Sequence, residues 1–395
     1  MSGEIDESLQ FALDQDWNED IEEDVNPTGI DSLVVFSRDW TVETIVNQIE
    51  QGNIDLNPAF QRRNAWDDDR RSKLIESLIT GLPVPEVVLA EDPSRKRSFI
   101  VIDGKQRLLT IAGYVRPEIG YWKKAVLSKL TVRRDLDGVS FHDLSDNPRW
   151  SDELRQFINA DVRCTVISNH RTSDVLYDIF YRLNTGSVPL STQELRQVLH
   201  KGPFADYLIA ATNELQPIHN ALRLRGADSR LRDVELLLRF IALVLFGDSY
   251  RGNLKLFLDE AMRNVTEQWE KREAEVHKIH DELNLATERL IRVLGKNVGT
   301  KYSSGRWENR FNKVLFEVEA YYFRFLGDEH LADEERVVRF VRGFQYLCSE
   351  NEEFRSSIEA TTKTNERYEA RFSLFQNLVN EVFETTINSV PVRAR

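Results

Sequence analysis

The sequence predicts an α+β fold: a small α/β domain followed by a mainly helical one. Three observations carry this. Short β-rich runs alternate with amphipathic helices up to about residue 114. Apolar residues recur at helical spacing almost without interruption beyond Asp228. A chain of 395 residues, 41% hydrophobic and 30% charged, can bury two such cores, and it has no apolar run long enough to cross a bilayer.

Taken in order, residues 1–31 read as a disordered acidic arm. Eleven acidic residues, Glu4 to Asp31, and no Lys or Arg fall within residues 1–37. They hold −11 of the formal net charge of −13, leaving only −2 for residues 38–395. Such an arm is either a solvated tail or a nucleic-acid mimic covering a basic groove, with Phe11, Trp17 and Ile21 to dock it. Structure is expected from Ser32. Leu33 to Phe36 reads as a strand, and Thr41 caps a helix to about Gln51 with Val42, Ile45, Val46 and Ile49 inward. Ile54–Leu56 is a short strand. Asp67 to Thr80 is a second helix, stopped by Gly81 and Pro83. Val87–Ala90 and Phe99–Ile102 are strands joined by a polar turn. A helix carrying Leu108, Leu109, Ile111 and Ala112 follows Asp103–Gly104.

Residues 115–167 read as an elaboration of short strands, with a hairpin at Leu136–Val139 and a strand at Val162–Ile167. Helices are expected at Asp174–Leu183 and at Ser191–His200, the latter opened by a capping box of Ser191 and Glu194. Leu231–Phe246, Leu254–Leu294, Trp307–Leu326, Asp333–Cys348 and Tyr368–Phe383 complete the helical part. The domain plan is therefore an arm at 1–31, an α/β domain with inserted strands at 32–200, and a helical domain at 201–395. Cys164 and Cys348 are the only cysteines, too few for a disulfide framework or a zinc site, and the N-terminus lacks a secretory signal. A reducing cytoplasm is expected.

Three segments carry candidate chemistry. In the first, Ile102-Asp103-Gly104-Lys105-Gln106-Arg107, a buried strand turns directly into a helix. The free N–H groups of a helix's first turn attract anions, and a glycine lets a phosphate approach the backbone. Lys105 and Arg107 add cations, Asp103 can hold a metal ion or orient water, and Gln106 can position water. An Asp N-cap with solvent-facing cations is the equally weighted alternative. In the second, Phe60-Gln61-Arg62-Arg63 and Trp66 could grip phosphate and stack a base; the alternative pairs the arginines with Asp67, Asp68 and Asp69. In the third, Arg182 and Asn184 sit at a helix break ending in Gly186, which is also a plain C-cap sequence. No Gly-x4-Gly-Lys-Ser/Thr loop occurs. Glu273, His277 and His280 share a helix face and could hold a metal, but read mainly as solvated surface.

Together these segments resemble the N-terminal domain of GmrSD-type restriction proteins, a ParB/sulfiredoxin-like domain whose hallmark is a strand ending in Asp-Gly-Gln-Gln-Arg. Ile102 to Leu108 matches that hallmark, and Phe60-Gln61-Arg62 with Trp66 matches its upstream Gln-Arg element. Leu74 to Pro85 matches its Leu-Ile-x-Ser helix end with Gly-x-Pro-x-Pro. Arg182 to Arg196 resembles its Arg-x-Asn-x-Gly element with the following Glu-Leu-Arg. The resemblance implies binding, and in several members hydrolysis, of a nucleoside triphosphate (GTP or ATP) with Mg2+, coupled to cleavage of modified foreign DNA in anti-phage defence. Asp103, Gln106 and Arg107 would be catalytic, with Asp103 on the metal. Gly104, Lys105, Gln61, Arg62, Arg182 and Asn184 would bind the nucleotide. Lys105 stands where the hallmark has its first glutamine, which strengthens phosphate affinity and changes the group available for hydrolysis. No histidine follows His330, so an HNH nuclease is not expected at this C-terminus, and a sensor or switch role beside a partner nuclease is. A non-catalytic DNA- or protein-binding module and a metal-dependent DNA nickase are the alternatives.

Overall fold

The computed structural model describes residues 33–56, 66–93, 95–120, 122–170, 175–177, 179, 191–359 and 364–391. The acidic arm, Gln61, Arg62, Arg182 and Asn184 lie outside these residues. The architecture is α+β, in two compact units that divide at Leu199 and His200.

The first unit is built on a five-stranded mixed sheet. Its strands are β1 (Val34–Thr41), β2 (Ile54–Asp55), β3 (Val87–Glu91), β4 (Phe99–Asp103) and β5 (Asp161–Ser168), in spatial order β1-β5-β3-β4-β2. β1 runs antiparallel to β5 and β3 antiparallel to β4, while β3 runs parallel to β5 and β2 parallel to β4. Between the strands lie α1 (Val42–Glu50), α2 (Asp68–Thr80) and α3 (Lys105–Val115). Thr41 caps α1 by accepting from the Thr44 N–H at 3.2 Å. Asp67 caps α2 by accepting from the Arg70 N–H at 2.8 Å, and Gly81 ends that helix with φ 71°. The apolar stripes of these helices cover the sheet, with Ile45, Ile75, Leu78, Val87, Leu89, Leu108 and Val166 in one buried cluster.

The elaboration after α3 corrects the sequence reading. In place of short strands, residues 117–158 form α4 (Pro117–Gly120), α5 (Phe141–Asp146), α6 (Ser151–Ile158) and two 3-10 turns, with a single antiparallel bridge between Val126 and Ser140. These helices are too short to show a period; Ser140 and Asp143 open α5 with a reciprocal capping box. The loop before them is fastened to α2 by the buried Glu76, whose Oε1 accepts from Val132 N–H at 2.8 Å and Arg133 N–H at 2.6 Å. α7 (Thr192–Leu199) closes the unit with the expected box, Ser191 N–H to Glu194 at 2.5 Å and Glu194 N–H to Ser191 Oγ at 3.1 Å.

The second unit is helical. It comprises α8 (Pro203–Ala211), α9 (Pro217–Ala221), α10 (Arg232–Phe246), α11 (Leu254–Glu267), α12 (Trp269–Leu294), α13 (Lys313–Phe323), α14 (Asp328–Leu331), α15 (Glu334–Ser349), α16 (Glu352–Glu359) and α17 (Asn365–Phe383). The helix expected over Trp307–Leu326 begins only at Lys313. Before it, β6 (Thr300–Ser303) and β7 (Arg306–Phe311) make a hairpin that turns at Ser304, φ 49°. Trp307 packs across that hairpin on Tyr302, with ring centroids 5.2 Å apart, so cross-strand aromatic packing overrode the helical reading. Phe323, Phe340, Phe375 and Phe383 form an aromatic core. Beside it, Arg239 bridges Glu235 (2.9 Å) and Glu317, and the Tyr368 hydroxyl donates to Glu317 at 3.1 Å. Glu319 is fully buried on α13, and one of its oxygens accepts the Gly299 N–H at 2.8 Å. Cys164 in the first unit and Cys348 in the second are both buried thiols.

Candidate functional site

The strand-to-helix turn after β4 is shaped by three local facts. First, the register between β3 and β4 slips: Leu89 faces Val101 but Val88 faces Asp103, so Ile102 is an extra, bulged residue. A bulge re-aims the residue beside it. Second, Gly104 takes φ 94°, a left-handed conformation that side chains resist, and serves as N-cap of α3. A Cβ there would lie 2.9 Å from Val87 Cγ2 and 3.2 Å from Val87 Cα. Third, no side chain caps α3. Its first-turn N–H groups therefore keep the anion-attracting character of an open helix start.

The Asp N-cap alternative fails on this geometry. Instead of capping, the Asp103 carboxylate accepts from Arg107 Nη2 at 2.7 Å, one helical turn on. The same Nη2 donates to the Glu86 carbonyl at 2.9 Å, tying α3 to the start of β3. Arg107 and Lys105 are buried, not solvent-facing. Two atoms there are shielded from solvent and have no hydrogen-bond partner among the described residues: Arg107 Nε and Gln106 Oε1. A buried guanidinium edge and amide oxygen left unmatched are expensive.

Asp103, Gly104, Lys105, Gln106 and Arg107 are thus brought together at one turn. Gln61, Arg62, Arg182 and Asn184 fall on segments outside the described residues. Trp66, expected as a stacking platform, faces Arg70, whose guanidinium lies 4.8 Å from its ring. Asp67, Asp68 and Asp69 are engaged by the α2 cap, Arg71 at 3.8 Å and Lys129 at 2.7 Å. The sequence reading missed Glu86 and Val87, which shape the turn through main-chain atoms from a distant strand; only tertiary structure shows this.

A Mg2+ ion at this turn would find one carboxylate, Asp103, whose Oδ1 lies outside the ion pair with Arg107. That suits magnesium, which takes one or two carboxylates and completes its shell with phosphate and water. Among the described residues no cluster of three or more His, Cys, Asp or Glu could hold a metal by itself. His277 and His280 are absorbed by packing: His280 Nδ1 meets the Tyr207 hydroxyl at 2.9 Å, and the Tyr207 ring lies 4.6 Å from that of His277. Burial pushes the His280 pKa down, against the charge of Asp281. No helix among the described residues is long and apolar enough to span a membrane.

No curated protein and no solved structure matches this chain. A family model, the GmrSD restriction endonuclease N-terminal domain, matches residues 42–201. That stretch runs from α1 to α7 and contains the turn just described. Residues 42–201 are therefore similar to a GmrSD-type N-terminal domain.

Proposed function

We propose that the turn between β4 and α3 binds the phosphates of a nucleoside triphosphate, and that the chain acts on DNA as the sensor or switch of a restriction-type defence system. The observation that carries this is the uncapped start of α3 behind Gly104, with Arg107 Nε and Gln106 Oε1 buried and unmatched beside it. A phosphate at that position would accept from the first-turn N–H groups and from Arg107, with the Lys105 charge close by. Asp103 would hold a Mg2+ ion through its free oxygen, and such an ion would supply charge neutralisation to the bound phosphates. Arg107 would hold Asp103 in place for this through their ion pair, and Gln106 would orient a water. Gln61, Arg62, Arg182 and Asn184 supply further contacts in this reading. The family description supports the restriction role, and two free buried thiols fit a reducing cytoplasm.

The test is a thermal-shift series with GTP, ATP, CTP and UTP at millimolar concentration with Mg2+, followed by phosphate release with and without modified DNA. One nucleotide is expected to raise Tm, by as much as ~2.7 kcal/mol of stabilisation at a hundredfold excess over Kd. Lys105→Ala is expected to remove that gain. Absence of any shift in the wild type would overturn the reading. A second reading is favoured by the internal Asp103–Arg107 pair, which occupies the metal-binding candidate: the turn grips nucleotide or DNA phosphate without hydrolysis. Binding without phosphate release would select it.

A further inference from the structure

Beside the β1 and β5 strands of the sheet lies a cleft of about 940 Å3 that the nucleotide reading does not use. Its floor is apolar: Leu78, Ile79, Leu82, Val84 and Ala160. Leu82 is 48% exposed there, a large aliphatic side chain on a loop held open to solvent. The rim carries three carboxylates, Asp39, Glu86 and Asp161, against one cation, Arg163. Arg163 is already committed, donating to Asp39 from Nε at 3.1 Å. Asp161 makes no ion pair among the described residues. The C-terminal ends of α2 and α6, at Thr80 and Asn159, border the same cleft. Helix C-termini add partial negative charge. An apolar floor under a negative rim is complementary to a chain that alternates cations with aliphatic side chains.

The shape favours an extended chain. β1 contributes Asp39 to the cleft, and β1 is the edge of the sheet, with one side unpaired among the described residues. Val34 and Val35 on that edge are 50% and 59% exposed. Such an edge can accept a further strand by main-chain hydrogen bonds, with side chains read by the adjoining pocket.

We infer that this cleft docks an extended segment of a partner protein, in which Lys or Arg alternates with aliphatic residues. The cations meet Asp161 and Glu86, and the aliphatic residues cover Leu82 and Val84. The cleft is also mechanically close to the phosphate turn. Glu86 lines the cleft with its side chain, which accepts from Thr165 Oγ1 at 2.8 Å, while its carbonyl holds Arg107. A docked segment therefore presses on the residue that positions Arg107.

The experiment uses the full chain against arrays of short peptides in which Lys or Arg alternates with Val, Leu or Ile. Companion arrays carry Glu for the cations or Ser for the aliphatics. The alternating array is expected to bind and both companions to fail. The best peptide, labelled and measured by fluorescence anisotropy, should bind about tenfold more weakly to Asp161→Lys and to Leu82→Ser, and more weakly as salt rises. Both positions are exposed, and each variant should keep the wild-type Tm and any nucleotide-dependent shift, which separates this result from that of the phosphate turn. Equal binding to the Ser-substituted array would mean simple charge attraction and overturn the inference. So would wild-type affinity in both variants, or no binding by the alternating array.

Discussion

At the scale of the residue, Gly104 decides whether the turn exists. Two separate costs meet there: a φ of 94° that L side chains resist, and a Val87 backbone atom 3.2 Å from where a Cβ would sit. Gly81 provides the control, since it has φ 71° but nothing within 4 Å of an added Cβ. Gly81→Ala should therefore cost about 1 kcal/mol from backbone strain alone. Gly104→Ala should cost about 2 kcal/mol or more and also abolish nucleotide-dependent stabilisation, because β3 and α3 must separate to admit the methyl. Urea denaturation of the two variants, with and without nucleotide, checks both statements; equal costs would show that the Val87 contact is not limiting. Arg107 is a different kind of residue. It closes an ion pair with Asp103, so any variant that removes it also strands a partly buried carboxylate, and its effect on binding has to be read beside its effect on stability.

Among the elements, α2 and α3 begin in opposite ways, and the contrast locates function. α2 is capped by Asp67 and carries Asp68 and Asp69 in its first turn, so its positive end is satisfied internally. α3 has no side-chain cap and no acidic residue in its first turn. Asp67→Ala is expected to cost about 1 kcal/mol in chemical denaturation while leaving the nucleotide-dependent shift in place; loss of that shift would tie α2 to the phosphate site. The same contrast explains what the sequence makes legible. The Thr41, Asp67 and Ser191 caps, the Gly81 stop and the strand pair on either side of residues 92–98 are local signals, and each is found within a residue or two of its expected place. The β6–β7 hairpin and the helices after Pro117 are not local. Trp307 is strand because Tyr302 and Phe344 receive its ring, and α5 and α6 are too short to establish a period. At the site, the sequence shows which charges are near the turn but not that Arg107 faces inward to Asp103 and Glu86.

For the molecule as a whole, the second unit holds a buried acid whose ionisation opposes folding. Burial raises the Glu319 pKa from its usual value near 4.5 to about 8, only partly offset by the Gly299 N–H bond. Between those two pH values the unfolded chain carries the charge and the folded chain keeps the proton. Stability contributed by this group therefore falls as pH rises through that window, by up to about 1.4 kcal/mol per pH unit, and levels off above pH 8. Glu319→Gln should flatten that slope in a series of denaturation curves; an unchanged slope would place the titrating group elsewhere. The two cysteines have a consequence of another kind. Each unit encloses one, and burial pushes both thiols up to about 12, so neither offers a thiolate while its surroundings stay closed. Alkylation at neutral pH then becomes a clock for opening. Iodoacetamide pulses read by peptide mass should give separate rates for Cys164 and Cys348, and a nucleotide held at the β4–α3 turn should slow the first without slowing the second.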